Sequence, residues 1–501
     1  MTPPVLSVLV LFPALCAALL LLPVPDRIAR IAFVAVTAAE LALVAGMWAA
    51  YDSPASGALA FEQQLSWLPQ VGASYHVGLD GLSLPLVAMT TLVFLACAVF
   101  VLAEDDRPRL QAALFLALET TCLGVFAAAD LVLFFLFFDL SIVGMYLSIH
   151  GWGHGDRRRS ALLFFLYTFL GSLALLLGFI GLYVASDPHT FDMVALAADP
   201  PLQGSGTTGV LVLGAVLLGL AVKTPVVPFH TWLPPAHTDA PAIGSAVLAA
   251  VLLKLGTYGL VRIAMPMFPD ALRSWAVALV VIGVVSALWG ALAALAQTDL
   301  KRMVAYSSVN HMGYVVLAVG AAGLVGAGSE NGAAARATAI SGAVTQMVSH
   351  GLLTGALFLL AGVVWRRTRD YDLDAYGGLA GLAPRFSALL VVAALGSLGL
   401  PGLSGFVAEL QIFAGGLATA PWAAVALLGI LLMTATMLRA VQRLLTGDVG
   451  RLSVGFADVT PREWVSVGLL LAPAVWWGLA PRPLLDVLEP AASVVADLVA
   501  R

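Results

Sequence analysis

The chain has 501 residues, 61% of them hydrophobic and 11% charged, with a mean hydropathy of +0.98. Soluble domains carry about 25% charged side chains, so this sequence lacks the polar residues to cover a water-facing surface and reads as an all-α polytopic membrane protein in a lipid bilayer. The net charge of −5 is spread over short loops, which excludes nucleic acid as a partner, and Cys16, Cys97 and Cys122 lie far apart in apolar runs, which excludes an iron–sulfur or metal site built on them.

A bilayer crossing needs about 20 apolar residues. Fourteen such stretches follow one another, near 4–23, 29–50, 81–103, 110–128, 130–150, 160–185, 208–231, 241–264, 275–296, 303–325, 338–363, 386–418, 421–444 and 463–480. The first has no basic residue before it and opens on Pro3 and Pro4, so it is expected to stay as a span rather than act as a cleaved signal. Residues 1–501 then form one membrane domain: three spans over 1–103, five over 110–264, five over 275–444 and a last over 463–480. With this count, 17 loop or helix-end basic residues follow odd-numbered spans and 5 follow even-numbered ones. The positive-inside rule therefore places both termini on the outer side of the membrane.

In chain order, Glu40 in span 2 and Glu119 in span 4 are the first acids inside apolar runs, and Glu119 is the better candidate for the polar interior. Asp139 ends the run LVLFFLFFD in span 5. Lys223 and Lys254 are the two basic residues left within spans 7 and 8, and both are lysine although the chain has only three lysines against 21 arginines. Lysine can lose its proton when desolvated whereas arginine holds it, so the choice points to titration. His230 and His237 flank a proline-rich turn. His311 and His350 lie in spans 10 and 11, between a buried lysine and Glu409 of span 12, where they suit a relay. Charges near the midplane cost about 2.5–3.5 kcal/mol each on insertion scales, so each needs a partner inside the bundle.

Two spans should be broken. Pro225 and Pro228 follow Lys223 and remove the amides that would have served the carbonyls of Ala221 and Thr224. Pro401 and Gly402 precede Glu409, and Pro401 frees the carbonyl of Ser397. The breaks lie five spans apart, which suggests two inverted five-helix repeats, spans 4–8 and 9–13, with spans 7 and 12 discontinuous at an ion path.

The strings VGLDGLSL at 77, LVLFFLFFDLSIVGMYLSIHGWG at 131, AVKTPVVPFHTWLPPAHTDAPAIGSAVLAAVLLKLGTYGLVR at 221, QTDLKRMVAYSSVNHMGYV at 297, SHGLLTGALFLLAG at 349 and GLPGLSGFVAE at 399 resemble the antiporter-like proton-translocating subunits of respiratory complex I, the NADH:quinone oxidoreductase. The resemblance implies a bacterial plasma-membrane subunit that moves protons through Asp139, Lys223, Lys254 and Glu409. Asp139 and Lys223 would form an ion pair tuning the lysine, Lys254 would be the central carrier and Glu409 the outlet. It further implies that NADH, FMN, iron–sulfur clusters and quinone belong to partner subunits, that this chain holds no cofactor, metal or redox-active residue, and that its neighbours include paralogous antiporter-like chains. Glutamate at 409 is the choice of chain M of that family, while aspartate at 139 departs from its usual glutamate. A subunit of a multisubunit sodium/proton antiporter or membrane-bound hydrogenase is the nearest alternative, followed by a stand-alone solute transporter and a scaffold.

Overall fold

The computed structural model describes residues 4–54, 57–104, 106–324 and 330–501; Pro3 and the end of the tenth expected span, at 325, lie outside them. Backbone in hydrocarbon must satisfy its own hydrogen bonds, and the apolar runs accordingly form helices: α1 Val5–Leu20, α2 Asp26–Ala49, α3 Ser83–Val101, α4 Pro108–Ala127, α5 Leu131–Trp152 and α6 Arg157–Ala185. After the short α7, Met193–Ala198, come α8 Thr207–Lys223, α9 Leu233–Asp239, α10 Ala242–Met267, α11 Pro269–Leu295, α12 Leu300–Leu324 and α13 Glu330–Thr368. The remainder is the short α14, Leu379–Leu382, then α15 Pro384–Ser397, α16 Ser404–Thr419, α17 Pro421–Leu445, α18 Pro461–Leu479 and α19 Arg482–Ala500. By length and composition nine of the described helices can cross a membrane, or ten if α18 and α19, bent by 76° at their junction, count as one.

Burial does not follow hydropathy. The two most deeply buried of these spans are α10 and α13, while α2, α6 and α17 turn most of their surface outward. In lipid the apolar side chains are at home outside, so the helices rich in small and polar residues collect at the centre. Gly351 of α13 shows how closely: a Cβ there would come within 2.1 Å of Met89 Sδ and 2.9 Å of the Ala250 carbonyl of α10.

Three features depart from the fourteen-span reading. Residues 60–68 and 73–79 pair as an antiparallel β hairpin, β1 and β2, outside the bundle. The seventh expected span resumes beyond its expected end, as α9. The last twenty residues, expected to lie beyond the final span, form α19, whose Leu484, Leu488, Ala492, Val495 and Val499 are buried. Those five share one helical face while Asp486, Glu489 and Asp497 interrupt any uniform apolar run, so α19 escapes a search for spans but satisfies the helical period.

The hairpin is pinned by charge. His76 on β2 is buried, with Nδ1 2.7 Å from Asp192 Oδ2 and Nε2 2.8 Å from Glu62 Oε1. Asp192 and Asp130 also cap α7 and α5 through the amides two and three residues on, and Asp130 takes the Ser74 amide at 2.9 Å. Burial alone would lower the His76 pKa, but the hydrogen bonds to Asp192 and then Glu62 outweigh it and raise it above the usual histidine value. The tie is therefore fully present below about pH 6.5 and is lost as pH rises through the raised native value. Amide exchange over 60–79 should accelerate across that range, and His76→Gln should remove the pH dependence. Unchanged exchange kinetics in the variant would show that the clamp does not hold the hairpin.

Candidate functional site

Lys254 stands at the centre of α10. It is fully buried; its Nζ donates to the Ala249 carbonyl at 2.6 Å and lies 2.6 Å from His350 Nδ1 on α13. Two π-helical segments, 248–252 and 260–264, flank it within one continuous helix. Wider turns of this kind are frequent at functional sites. They were not legible in the sequence, because LAAVL and LVRIA carry no proline or glycine signal.

His350 continues the line. Its ring meets His311 of α12 with centroids 5.2 Å apart, and His311 Nε2 lies 3.9 Å from Glu409 Oε1 on α16. His311 Nε2 also donates to the Ser397 carbonyl at 3.0 Å. That is the carbonyl whose partner Pro401 removes, so the break between α15 and α16 supplies the acceptor that orients the histidine. A cavity of about 10 Å³ lies among His311, Gln346, Ser349, His350, Ser397 and Glu409, with room for one water. Among the described residues, His350 Nε2, Gln346 Oε1 and Ser397 Oγ around it have no protein partner. Lys254, His350, this one-water space, His311 and Glu409 thus form a polar line across α10, α13, α12 and α16. Gly399, at the break, has φ +77°, and a Cβ there would come within 2.3 Å of Glu409 Oε2. The turn and the carboxylate share space that only glycine leaves open.

On the other side, α8 ends at Lys223 and the chain resumes as helix at Leu233, so Pro225 and Pro228 fall inside the break. The Ala221 carbonyl left by Pro225 accepts the Val226 amide at 3.2 Å, and Trp232 Nε1 donates to the Val222 carbonyl at 3.0 Å. Lys223 is buried, donates to Ser141 Oγ at 3.2 Å and lies 4.8 Å from the Phe138 ring centroid. The expected contact ion pair with Asp139 is not closed: among the described residues the hydrogen bond of Lys223 goes to Ser141, and Asp139 acts on it only electrostatically. Successive helical residues diverge by about 100°. Asp139 consequently turns toward the rim of α5 while Ser141 turns inward. Asp139 is half-buried and borders an apolar cavity of about 290 Å³ lined by Trp67, Phe135, Leu136, Phe165 and Phe169.

The other sequence candidates divide. His237 is fully buried, stacks on Phe358 at 4.4 Å, has no hydrogen-bond partner on either ring nitrogen among the described residues and lies within electrostatic reach of Lys254. His230 instead accepts from Trp289 Nε1 at 3.1 Å, on α11, and is not brought to Lys254. Glu119 joins Glu40 rather than the line. Lys301 is the residue that sequence reasoning misplaced as loop charge. It is fully buried at the start of α12, with Nζ donating to the Ala240 carbonyl at 2.5 Å and lying within electrostatic reach of His237, Asp239 and Asp299. The signal was present: all three lysines of the chain are buried. Beside Lys301, in the loop before α6, His154 is pushed down to about 3 by burial and then by the Lys301 and Arg369 cations, and stacks on Trp365 at 4.0 Å.

Known proteins carry the same architecture. The model of the NADH:quinone oxidoreductase/Mrp antiporter transmembrane family matches residues 128–435. NADH-quinone oxidoreductase subunit M of Rickettsia felis is 34% identical over 497 residues, covering 97% of each chain. A chain in the structure of respiratory complex I from Thermus thermophilus with bound NADH is 30% identical, with a TM-score of 0.89 over 99% of both chains. One from the Mrp complex of Dietzia sp. shares the fold at 22% identity, with a TM-score of 0.85 over the full length of both. The chain belongs to the NADH:quinone oxidoreductase/Mrp antiporter transmembrane family and, within it, is most like the antiporter-like chain M of complex I.

Proposed function

We propose that this chain is a proton-translocating membrane-arm subunit of an NADH:quinone oxidoreductase, and that it moves protons along buried side chains while the redox chemistry proceeds in other subunits. The observation that carries the reading is the contact from Lys254 Nζ to His350 at 2.6 Å, continued through His311 to Glu409. A group that can exist as ammonium or amine touches a group that can exist as imidazole or imidazolium, and a carboxyl ends the series. Lys254 is the central carrier, Glu409 the outlet, and Lys301 with His237 the inlet from the arginine-rich face. Lys223, with Asp139 acting on it at a distance, stands at the other end. The donor set of the line, lysine, histidine and carboxyl dispersed over four helices, suits protons. NADH, FMN, iron–sulfur clusters and quinone are assigned to partner subunits.

The nine apolar helices, together with α1, the broken pairs α8–α9 and α15–α16, α12 and α18, make fourteen crossings in this reading. Residues 110–264 and 275–444 are the two inverted repeats, each with one broken crossing, and both termini lie on the outer face of a bacterial plasma membrane. Asp139 supports a neighbour: a carboxyl beside an apolar cavity at the rim of α5 is costly in lipid, so this face is assigned to an adjoining antiporter-like subunit. A sodium/proton antiporter subunit is the second reading, favoured by the shared Mrp fold and opposed by glutamate at 409. The test is purification of the tagged chain from its native membrane in mild detergent. Recovery with NADH:quinone oxidoreductase activity and redox-driven proton uptake supports the reading; recovery with sodium-dependent antiport and without NADH oxidation overturns it.

A further inference from the structure

Glu40 of α2 and Glu119 of α4 are 1% and 0% exposed. Both stand well inside apolar helices, and neither belongs to the line from Lys254 to Glu409. Their carboxyl groups pair with each other across the packed contact of α2 and α4. All four oxygens otherwise find no donor among the described residues. Two carboxylates offer only acceptors, so a hydrogen bond between them requires a proton on one of the pair. Among the described residues no cation is paired with them; the thiols of Cys16 on α1, Cys97 on α3 and Cys122 on α4 each lie within electrostatic reach of one carboxyl or the other. Two like charges cannot both persist in such a place, and the physically consistent state is one proton shared by two carboxyls.

The pair is also connected to the proton path. Glu119 and Cys122 are three residues apart on α4 and so lie on the same side of that helix. Cys122 is within electrostatic reach of Glu119 on one side and of Lys223 on the other. Lys223 has the Ser141 hydroxyl as its one hydrogen-bond partner among the described residues; the Asp139 carboxylate acts on it from the rim of α5 and Cys122 from the side of α4.

We propose that Glu40 and Glu119 form a proton-holding diacid that exchanges one proton with Lys223 past Cys122. The step balances: the Lys223 ammonium gives up one proton and becomes an amine, the singly protonated diacid takes it and becomes two neutral carboxyls, and no charge is left in the interior. The reverse restores a cation and a shared anion on opposite sides of Cys122. A low-dielectric bundle favours the neutral arrangement, so a modest change in the field at Lys223 is enough to move the proton. This rests on the proton-carrying reading of Lys223 given above.

The experiment uses the intact assembly in sealed native-membrane vesicles, with Glu40→Gln, Glu119→Gln and the double variant, and assembly checked for each. Glutamine keeps the shape and donates a hydrogen bond to the remaining carboxylate, so a merely structural pair would tolerate either single change. The proposal expects redox-driven proton uptake to fall about tenfold in each, equivalent to about 1.4 kcal/mol on the transfer barrier. It also expects infrared spectra of the purified assembly to show a deuterium-sensitive protonated-carboxyl stretch that disappears in the double variant. Full uptake in Glu119→Gln while Lys254→Met is inactive overturns the diacid alone. Full uptake in both overturns the diacid together with the proton-carrying reading. Identical carboxyl spectra in wild type and double variant overturn the shared proton irrespective of pumping.

Discussion

Replacing Lys254 by arginine in the intact assembly is expected to abolish proton uptake as thoroughly as replacing it by methionine. The ammonium is fully buried, and its two contacts, the Ala249 carbonyl and His350 Nδ1, both at 2.6 Å, are a fixed acceptor and a proton-accepting ring. Methionine fills similar space but carries no proton. Arginine keeps the positive charge and can still donate to the carbonyl, yet it does not release its proton, and its planar fork does not fit a site shaped for a point donor. Groups that transfer protons contribute about 10²–10⁴-fold, so both variants should lose about a hundredfold or more of redox-driven uptake, with quinone reduction falling in parallel where coupling is tight. The measurement is proton uptake into vesicles against the NADH oxidation rate. Normal uptake in the arginine variant would reduce Lys254 to a fixed charge and remove the centre of the path.

Asp139→Asn should lower uptake about tenfold, whereas Asp139→Glu should be tolerated. The structure sharpens the reason. Asp139 does not touch Lys223, whose donor bond goes to Ser141, so the carboxylate acts through its charge across a gap rather than through a contact. Asparagine keeps the shape and loses the charge. Glutamate keeps the charge and lengthens its reach by one methylene, and the half-buried position beside an apolar cavity leaves room for it. If Asp139 served only to hydrogen-bond a neighbouring helix, asparagine would replace it at little cost, since such bonds average about 0.6 kcal/mol in membranes. Near-normal uptake in the asparagine variant, at normal assembly, would leave Lys223 without electrostatic control from α5 and place that control on the diacid of α2 and α4.

The sequence by itself determined the solvent and the helices, and it pointed to the chemistry. Composition required a bilayer, apolar runs of about 20 residues required helices, and the placement of lysine rather than arginine at 223 and 254 singled out the candidates for titration before any coordinate. It also determined the two breaks, because proline removes an amide wherever it occurs, and the Ser397 carbonyl that Pro401 leaves is the one His311 takes. The tertiary structure decided which of these groups meet. Side chains from helices distant in the chain come together through packing alone, and no local period encodes that His350 reaches Lys254 while His230 turns to Trp289. Lys301 read as a loop charge because its helix begins there, and only the packing of α9 and α12 closes it off from water. Glu40 and Glu119 read as two isolated acids; their contact depends on the angular positions of α2 and α4, which in a bundle coated with apolar side chains all round leave no hydrophobic stripe to be read from sequence.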